Sequence, residues 1–206
     1  MARAHTTFLG DHPVEAIVIG GSAGVLEVLR IILGALPTTL AIPVMIVVHL
    51  PTRSHSLVLQ SLQSVTSLPM SQADDKEPFE GGRVYFASPG YHLHVETDRS
   101  AALSIDEPVH YSRPSIDVLF ESASDAYGRA LLGILLTGAS ADGAAGLQTI
   151  HARGGLTVVQ LPESCEASTM PLSAMDLFQP DYVLAPSAIA ALLATLTTET
   201  SLSHLP

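Results

Sequence analysis

Apolar runs that each end in a short turn and pass into a segment of helical spacing constrain this chain more than any other feature. VEAIVIG (14–20) carries one charged residue, turns through GSAG (21–24) and enters VLEVLRIILGAL (25–36), where apolar residues recur at helical intervals. The unit repeats. PVMIVVHL (43–50) precedes SLVLQSLQS (56–64), ALLGILLT (130–137) precedes DGAAGLQTIHARG (142–154), and GLTVVQ (155–160) precedes TMPLSAMDL (169–177). Strands with no alternating polar face are buried on both sides, the pattern of a parallel sheet between helical layers. Right-handed crossovers then set the layering. The middle differs: GGRVYFAS (81–88), YHLHVE (91–96) and AALSI (101–105) are short runs separated by SPG and TDRS, which predicts antiparallel hairpins. PSIDVLFESASDAYG (114–128) and PSAIAALLATL (186–196) read as helices, and DYVLA (181–185) as a short strand. The predicted fold is α/β, a doubly wound, mostly parallel sheet with helices on both faces and a small antiparallel hairpin.

Bulk properties narrow the function classes. The chain has 206 residues, enough for one sizeable domain, and 47% of them are hydrophobic. Mean hydropathy is +0.37, yet no run reaches the roughly 18 uninterrupted apolar residues of a membrane-spanning helix. MARAHTTFLGDHP lacks the apolar core of a signal peptide. The expectation is a cytoplasmic protein without membrane insertion. Nine basic residues against 20 acidic ones give a net charge of −11, which would repel a phosphate backbone and argues against nucleic acid. The single cysteine, Cys165, excludes an internal disulfide and a cysteine-rich metal site. Residues 1–13 and 198–206 are expected as frayed tails around one domain at 14–197.

In an open α/β sheet, ligands bind beyond the carboxyl ends of the strands. Ser22 follows the first apolar run, His49 lies at the end of the second, and Thr137, Ser140 and Asp142 follow the run at 130–137. Serine, histidine and aspartate on one sheet edge are the groups that acyl transfer needs. The hydroxyl attacks, the imidazole moves its proton, and the carboxylate holds the imidazole. Taken singly, Ser22 and Asp142 also fit helix caps and His49 a buried core histidine. Their joint placement favours catalysis. The chain contains no Asn and no Gln near these turns, so an oxyanion would be held by backbone amides, with Ala23, Gly24 and Ala139 as candidates. HLHVE puts His92, His94 and Glu96 on one strand face, a spacing open to a metal but read as a solvated face. No metal and no cofactor is expected.

Together, AIVIGGSAGVLEVLRIILGALP, PVMIVVHLP, GGRVYFASPGYHLHV, YSRPSIDVLFESASDAYG, GILLTGASADGAAGL and ESCEASTMPLSAM resemble the catalytic domain of the chemotaxis protein-glutamate methylesterases of CheB type. The resemblance runs from about residue 14 to residue 195, and SRPSIDVLF and the LTG…DGAAG string are its most specific parts. It implies a serine esterase acting on methylated chemoreceptor cytoplasmic helices, releasing methanol and in some members deamidating glutamine. It places the nucleophile on Ser22, the base on His49 and the acid on Asp142, and assigns Arg113 to substrate binding. Three departures stand out. The family's receiver domain is not represented in this sequence, so a separate receiver or methyltransferase protein is an expected partner. Ala139 stands where methionine is common, and Ala23 where threonine is common. Two other readings stay open: a catalytically silent regulatory module of this fold, and a dinucleotide- or phosphate-binding domain built on GGSAG. The second lacks the acidic residue expected at the end of the second strand, where His49 stands.

Overall fold

The computed structural model describes residues 7–49 and 55–198. Its centre is a seven-stranded sheet formed by β3 (Ala16–Gly21), β4 (Val44–Val48), β5 (Met70–Gln72), β6 (Val84–Phe86), β9 (Leu131–Leu135), β10 (Leu156–Gln160) and β11 (Tyr182–Leu184), in the order β11-β10-β9-β3-β4-β6-β5. Every pairing in it is parallel. β3 lies between β4 and β9, in register Gly21 to Val48 and Gly20 to Leu135. From β3 the chain builds the sheet first toward β4 and later, starting with β9, on the other side. The β3–β9 boundary is therefore the topological switch point, where a crevice opens beyond the strand ends.

Alternation along β3 assigns the two faces. Ile17 and Ile19 join one buried cluster with Leu29, Ile32 and Leu33 of α1 (Val25–Ala35) and Ile189 and Leu193 of α6 (Pro186–Ala194). Ala16 and Val18 join the opposite cluster with Leu119 and Phe120 of α3 (Ile116–Tyr127), Leu147 and Ile150 of α4 (Ala144–Ala152) and Met170 and Ala174 of α5 (Thr169–Leu177). The doubly wound sheet expected from the sequence is the one observed. α2 (His55–Gln63) contributes Leu62 to the first cluster.

Two expectations need correction. VYF of the middle segment is β6, a parallel strand of the main sheet paired with β4 and β5 rather than a hairpin arm. At three fully buried residues it is too short to carry a period, so tertiary pairing decides its partner. The antiparallel hairpin is confined to β7 (His92–Val95) and β8 (Ala101–Ser104). The expected N-terminal tail is also partly ordered. β1 (Thr7–Leu9) pairs antiparallel with β2 (His12–Val14) through a turn with Gly10 at φ 59°, and with β12 (Thr197–Thr198). A partner about 190 positions away leaves no local pattern to read. Residues 1–6 and 199–206, the rest of the expected tails, lie outside the described residues.

Candidate active site

Three strand ends meet at the switch point. Ser22 N–H donates to Thr137 O (2.9 Å), Leu136 N–H to Gly20 O (2.9 Å) and His49 N–H to Gly21 O (3.2 Å), so the turns after β3, β4 and β9 are stitched by backbone bonds. Ser22 Cβ also lies within 3.1 Å of where a β-carbon on Gly138 would stand.

The first turn is made for close approach. A β-carbon on Gly20 would sit 2.2 Å from Ile116 Cγ2, so glycine there lets the start of α3 rest directly on β3. Gly24, at φ 76°, is the N-cap of α1 and has no side-chain cap; the left-handed conformation suits glycine. The Ser22 hydroxyl therefore does not cap α1. Only its carbonyl takes part in that turn, accepting from Val25 N–H (3.1 Å). The Ala23, Gly24 and Ala139 amides have no hydrogen-bond partner among the described residues, whereas Gly138 N–H is committed to Ala167 O (2.9 Å). Thr137 braces this corner. Its hydroxyl donates to Ala23 O (2.9 Å) and accepts from Ala167 N–H (3.1 Å).

Asp142 does not cap its own helix, whose N-cap is Gly143 at φ 95°. Its side chain, 0% exposed, turns to α3. Oδ1 accepts from Ser115 Oγ (2.7 Å) and Asp117 N–H (3.0 Å); Oδ2 accepts from Ile116 N–H (2.7 Å) and His49 Nε2 (2.8 Å). Burial raises the carboxyl's proton affinity. The bonds from His49, the Asp117 and Ile116 amides and Ser115 outweigh it and hold the pKa below the usual carboxylate value. Asp117, 5% exposed, returns the arrangement: its Oδ1 accepts Gly146 N–H (2.7 Å) in the first turn of α4. Each helix thus has an N-terminal amide held by a carboxylate from the other helix or its leading turn. Burial first, and then the charge of Asp142, push Asp117 up to about 6.

With Nε2 on Asp142, His49 presents Nδ1 to the cleft, where Ser112 Oγ stands at 3.5 Å. The structure brings His49 and Asp142 into direct contact and sets Ser22 at the adjoining strand end. The Ser22 hydroxyl forms no hydrogen bond to another described residue. Arg113 is engaged elsewhere: its Nη1 donates to the carbonyls of Ile105 (2.9 Å) and Asp106 (3.0 Å) within its own loop. The His92–His94–Glu96 face is not uniformly solvated. His92 is 1% exposed; its Nδ1 accepts Ser115 N–H (3.2 Å), so Nε2 carries the proton and donates to Glu107 O (3.2 Å). The loop after β8 covers that end of the strand, which alternation within β7 cannot reveal. His94 bonds Ser104 Oγ (3.1 Å), and burial lowers its pKa. Burial likewise raises the Cys165 thiol, which donates to Leu161 O, the wrong direction for a nucleophile.

Sequence reasoning missed Ser112, Ser115 and the Asp117 side chain. The available signal was a serine one residue before the helical run at 116–127, the standard position of an N-cap.

The CheB methylesterase family model matches residues 17–193. A Leptospira interrogans protein, provisionally designated a protein-glutamate methylesterase/protein-glutamine glutaminase, is 46% identical over 182 residues, covering 88% of this chain and 94% of that protein. The protein-glutamate methylesterase/protein-glutamine glutaminase of Archaeoglobus fulgidus is 35% identical over 167 residues, 78% of this chain but 47% of the relative. The chain thus spans nearly the whole of one relative and about half of the other. The crystal structure of the Thermotoga maritima CheB methylesterase catalytic domain superposes with a TM-score of 0.83 at 27% identity, covering 87% of this chain and 96% of that one.

Proposed function

The chain belongs to the CheB methylesterase family, and from that premise we propose that it hydrolyses γ-methyl esters of glutamate on the cytoplasmic helices of chemoreceptors. Methanol and a free carboxylate are the products, and the same site would deamidate glutamine with release of ammonia. The observation that carries this reading is the 2.8 Å His49–Asp142 bond at the switch point, with Ser22 at the next strand end. On this reading the domain is residues 14–197, acting in the cytoplasm, with a receiver or a methyltransferase as a further partner.

In the reaction, Ser22 Oγ attacks the ester carbonyl while His49 Nδ1 takes the hydroxyl proton. Negative charge collects on the carbonyl oxygen. The Ala23, Gly24 and Ala139 amides, which have no other partner among the described residues, stabilise it, aided by the α1 dipole. His49 then delivers its proton to the departing methoxide, leaving a glutamyl ester on Ser22. Water, deprotonated by His49, attacks that ester and restores the serine. Asp142 stays ionised throughout and fixes the ring so that Nδ1 faces the reaction. Arg113 contributes by holding the loop that borders the cleft. Ala139 can serve this role as well as methionine, because the donor is the backbone.

The test is methanol release from methylated receptor membranes by the wild type and by Ser22→Ala. Release by the wild type and loss of at least a thousandfold in the variant is the expected result, following the scale of nucleophile removal in serine hydrolases. Equal rates would refute the assignment of Ser22.

A further inference from the structure

The loop from Ile105 to Arg113 is fastened with unusual care for a surface segment. At its start, Glu107 O is held by buried His92, and the Ile105 and Asp106 carbonyls by Arg113. Near its end, Val109 and Ser112 exchange backbone bonds (3.2 and 2.8 Å) around a two-residue turn. Both residues of that turn, His110 (φ 48°) and Tyr111 (φ 62°), are left-handed without being glycine, a conformation that a β-carbon disfavours. The turn keeps it because His110 Nε2 is anchored 3.4 Å from Asp117 Oδ2 and Ser112 faces His49.

These fastenings hold up an aromatic side chain that touches almost nothing. Tyr111 is wholly exposed, and Ile105, tied to the same loop by Arg113, is exposed too. Strain retained at an over-determined position points to function. A tyrosine carried on a backbone turn already held in place is an economical binding contact, because no loop has to be ordered and only two side-chain torsions are fixed when it is covered. Its neighbour in the chain, Ser112, borders the imidazole proposed to do the chemistry.

We propose that the His110–Tyr111 turn is the receptor-reading element of this enzyme, with Tyr111 packing on the receptor helix beside the esterified glutamate. The inference rests on the esterase reading above and adds to it the residue that favours a folded helical substrate over an isolated ester. His92, Arg113 and Asp117 are positioning residues for this turn.

The experiment compares kcat/KM on methylated receptor membranes with kcat/KM on a short peptide bearing one γ-methyl glutamate, for the wild type, Tyr111→Ala and Tyr111→Phe. Truncating an aromatic contact at an interface commonly costs tenfold or more in affinity. The receptor-to-peptide ratio should therefore fall about tenfold in Tyr111→Ala, mainly through KM, and recover most of that in Tyr111→Phe. Because the ring is exposed, both variants should melt with the wild type. An unchanged ratio, or equal losses on both substrates, would overturn the inference while leaving the esterase chemistry standing. A wild type that hydrolyses the peptide but not the receptor would overturn it as well. A wild type inactive on both would take the esterase reading down with it.

Discussion

Two helix N-termini face the same cleft and are finished in opposite ways. At α1, the cap is a glycine with no side chain to offer, and the Ala23 and Gly24 amides are unpaired among the described residues. At α3, Ser115 accepts Val118 N–H and Asp142 takes the Ile116 and Asp117 amides, so the helix end is filled. The electrostatics are equal in kind, since both ends favour negative charge. What differs is who supplies it. The filled end uses a resident carboxylate to fix a histidine, and the open end leaves its donors unpaired among the described residues, which the proposed reaction uses for charge that develops on the substrate. An N-terminus in such a cleft therefore says little until one asks whether its amides are already taken.

The contrast breaks most completely at the filled end. Asp142→Ala strips an acceptor from three buried donors and the imidazole at once, and each orphaned buried group costs about 1–3 kcal/mol. The expected result is a fall in melting temperature of ten degrees or more in a calorimetric scan, together with loss of esterase activity. Asp142→Asn separates the two roles. It keeps one oxygen, which continues to accept one of the two α3 amides, but no longer matches the donating Nε2 with a carboxylate, so stability should drop less than in Asp142→Ala while kcat falls by two to four orders of magnitude.

Ser115→Ala removes an N-cap and one of the bonds to Asp142. Caps of this kind are worth about 1–2 kcal/mol, to be read from denaturant midpoints at unchanged slope. A smaller effect comes from Asp117, whose raised pKa of about 6 means that the folded state binds more protons than the unfolded state between roughly pH 4 and 6. Its contribution to stability is therefore present below that window and is lost as pH rises through it. Asp142 acts oppositely, its contribution fading only as pH falls below the usual carboxylate range. Asp117→Asn still accepts Gly146 N–H, and its stability relative to the wild type should increase as pH rises from roughly 4 to 6. Because the lowered pKa of His94 tilts stability the other way as pH rises, the difference between the two proteins is the readout, and wild type and Asp117→Asn changing in parallel through that window would contradict the assignment.

Legibility from sequence followed the range of the interaction. The strands β3, β4 and β9 stand out as apolar runs, so the sequence alone puts Ser22, His49 and Asp142 on one sheet edge. The partners of Asp142 are not legible in this way. Ser115 lies 27 positions away and Ser112 lies 63 positions from His49; the crossover of α3 over β3, permitted by Gly20, brings them in. Gly20 itself reads as part of a phosphate-loop glycine pair, whereas its observed work is to admit Ile116. His92 misled for the same reason: alternation within β7 does not report a loop laid over the strand.

Reaction with a fluorophosphonate, followed by peptide mapping of the adduct by mass spectrometry, tests the central claim most directly, because two serines compete for it. Ser112 Oγ is the hydroxyl within 3.5 Å of His49 Nδ1 in the resting structure, whereas Ser22 lies beside the unpaired amides. A single adduct on Ser22 is expected in the wild type, absent in Ser22→Ala and in His49→Ala and retained in Ser112→Ala. An adduct on Ser112, or labelling of Ser22 that persists without His49, would contradict it.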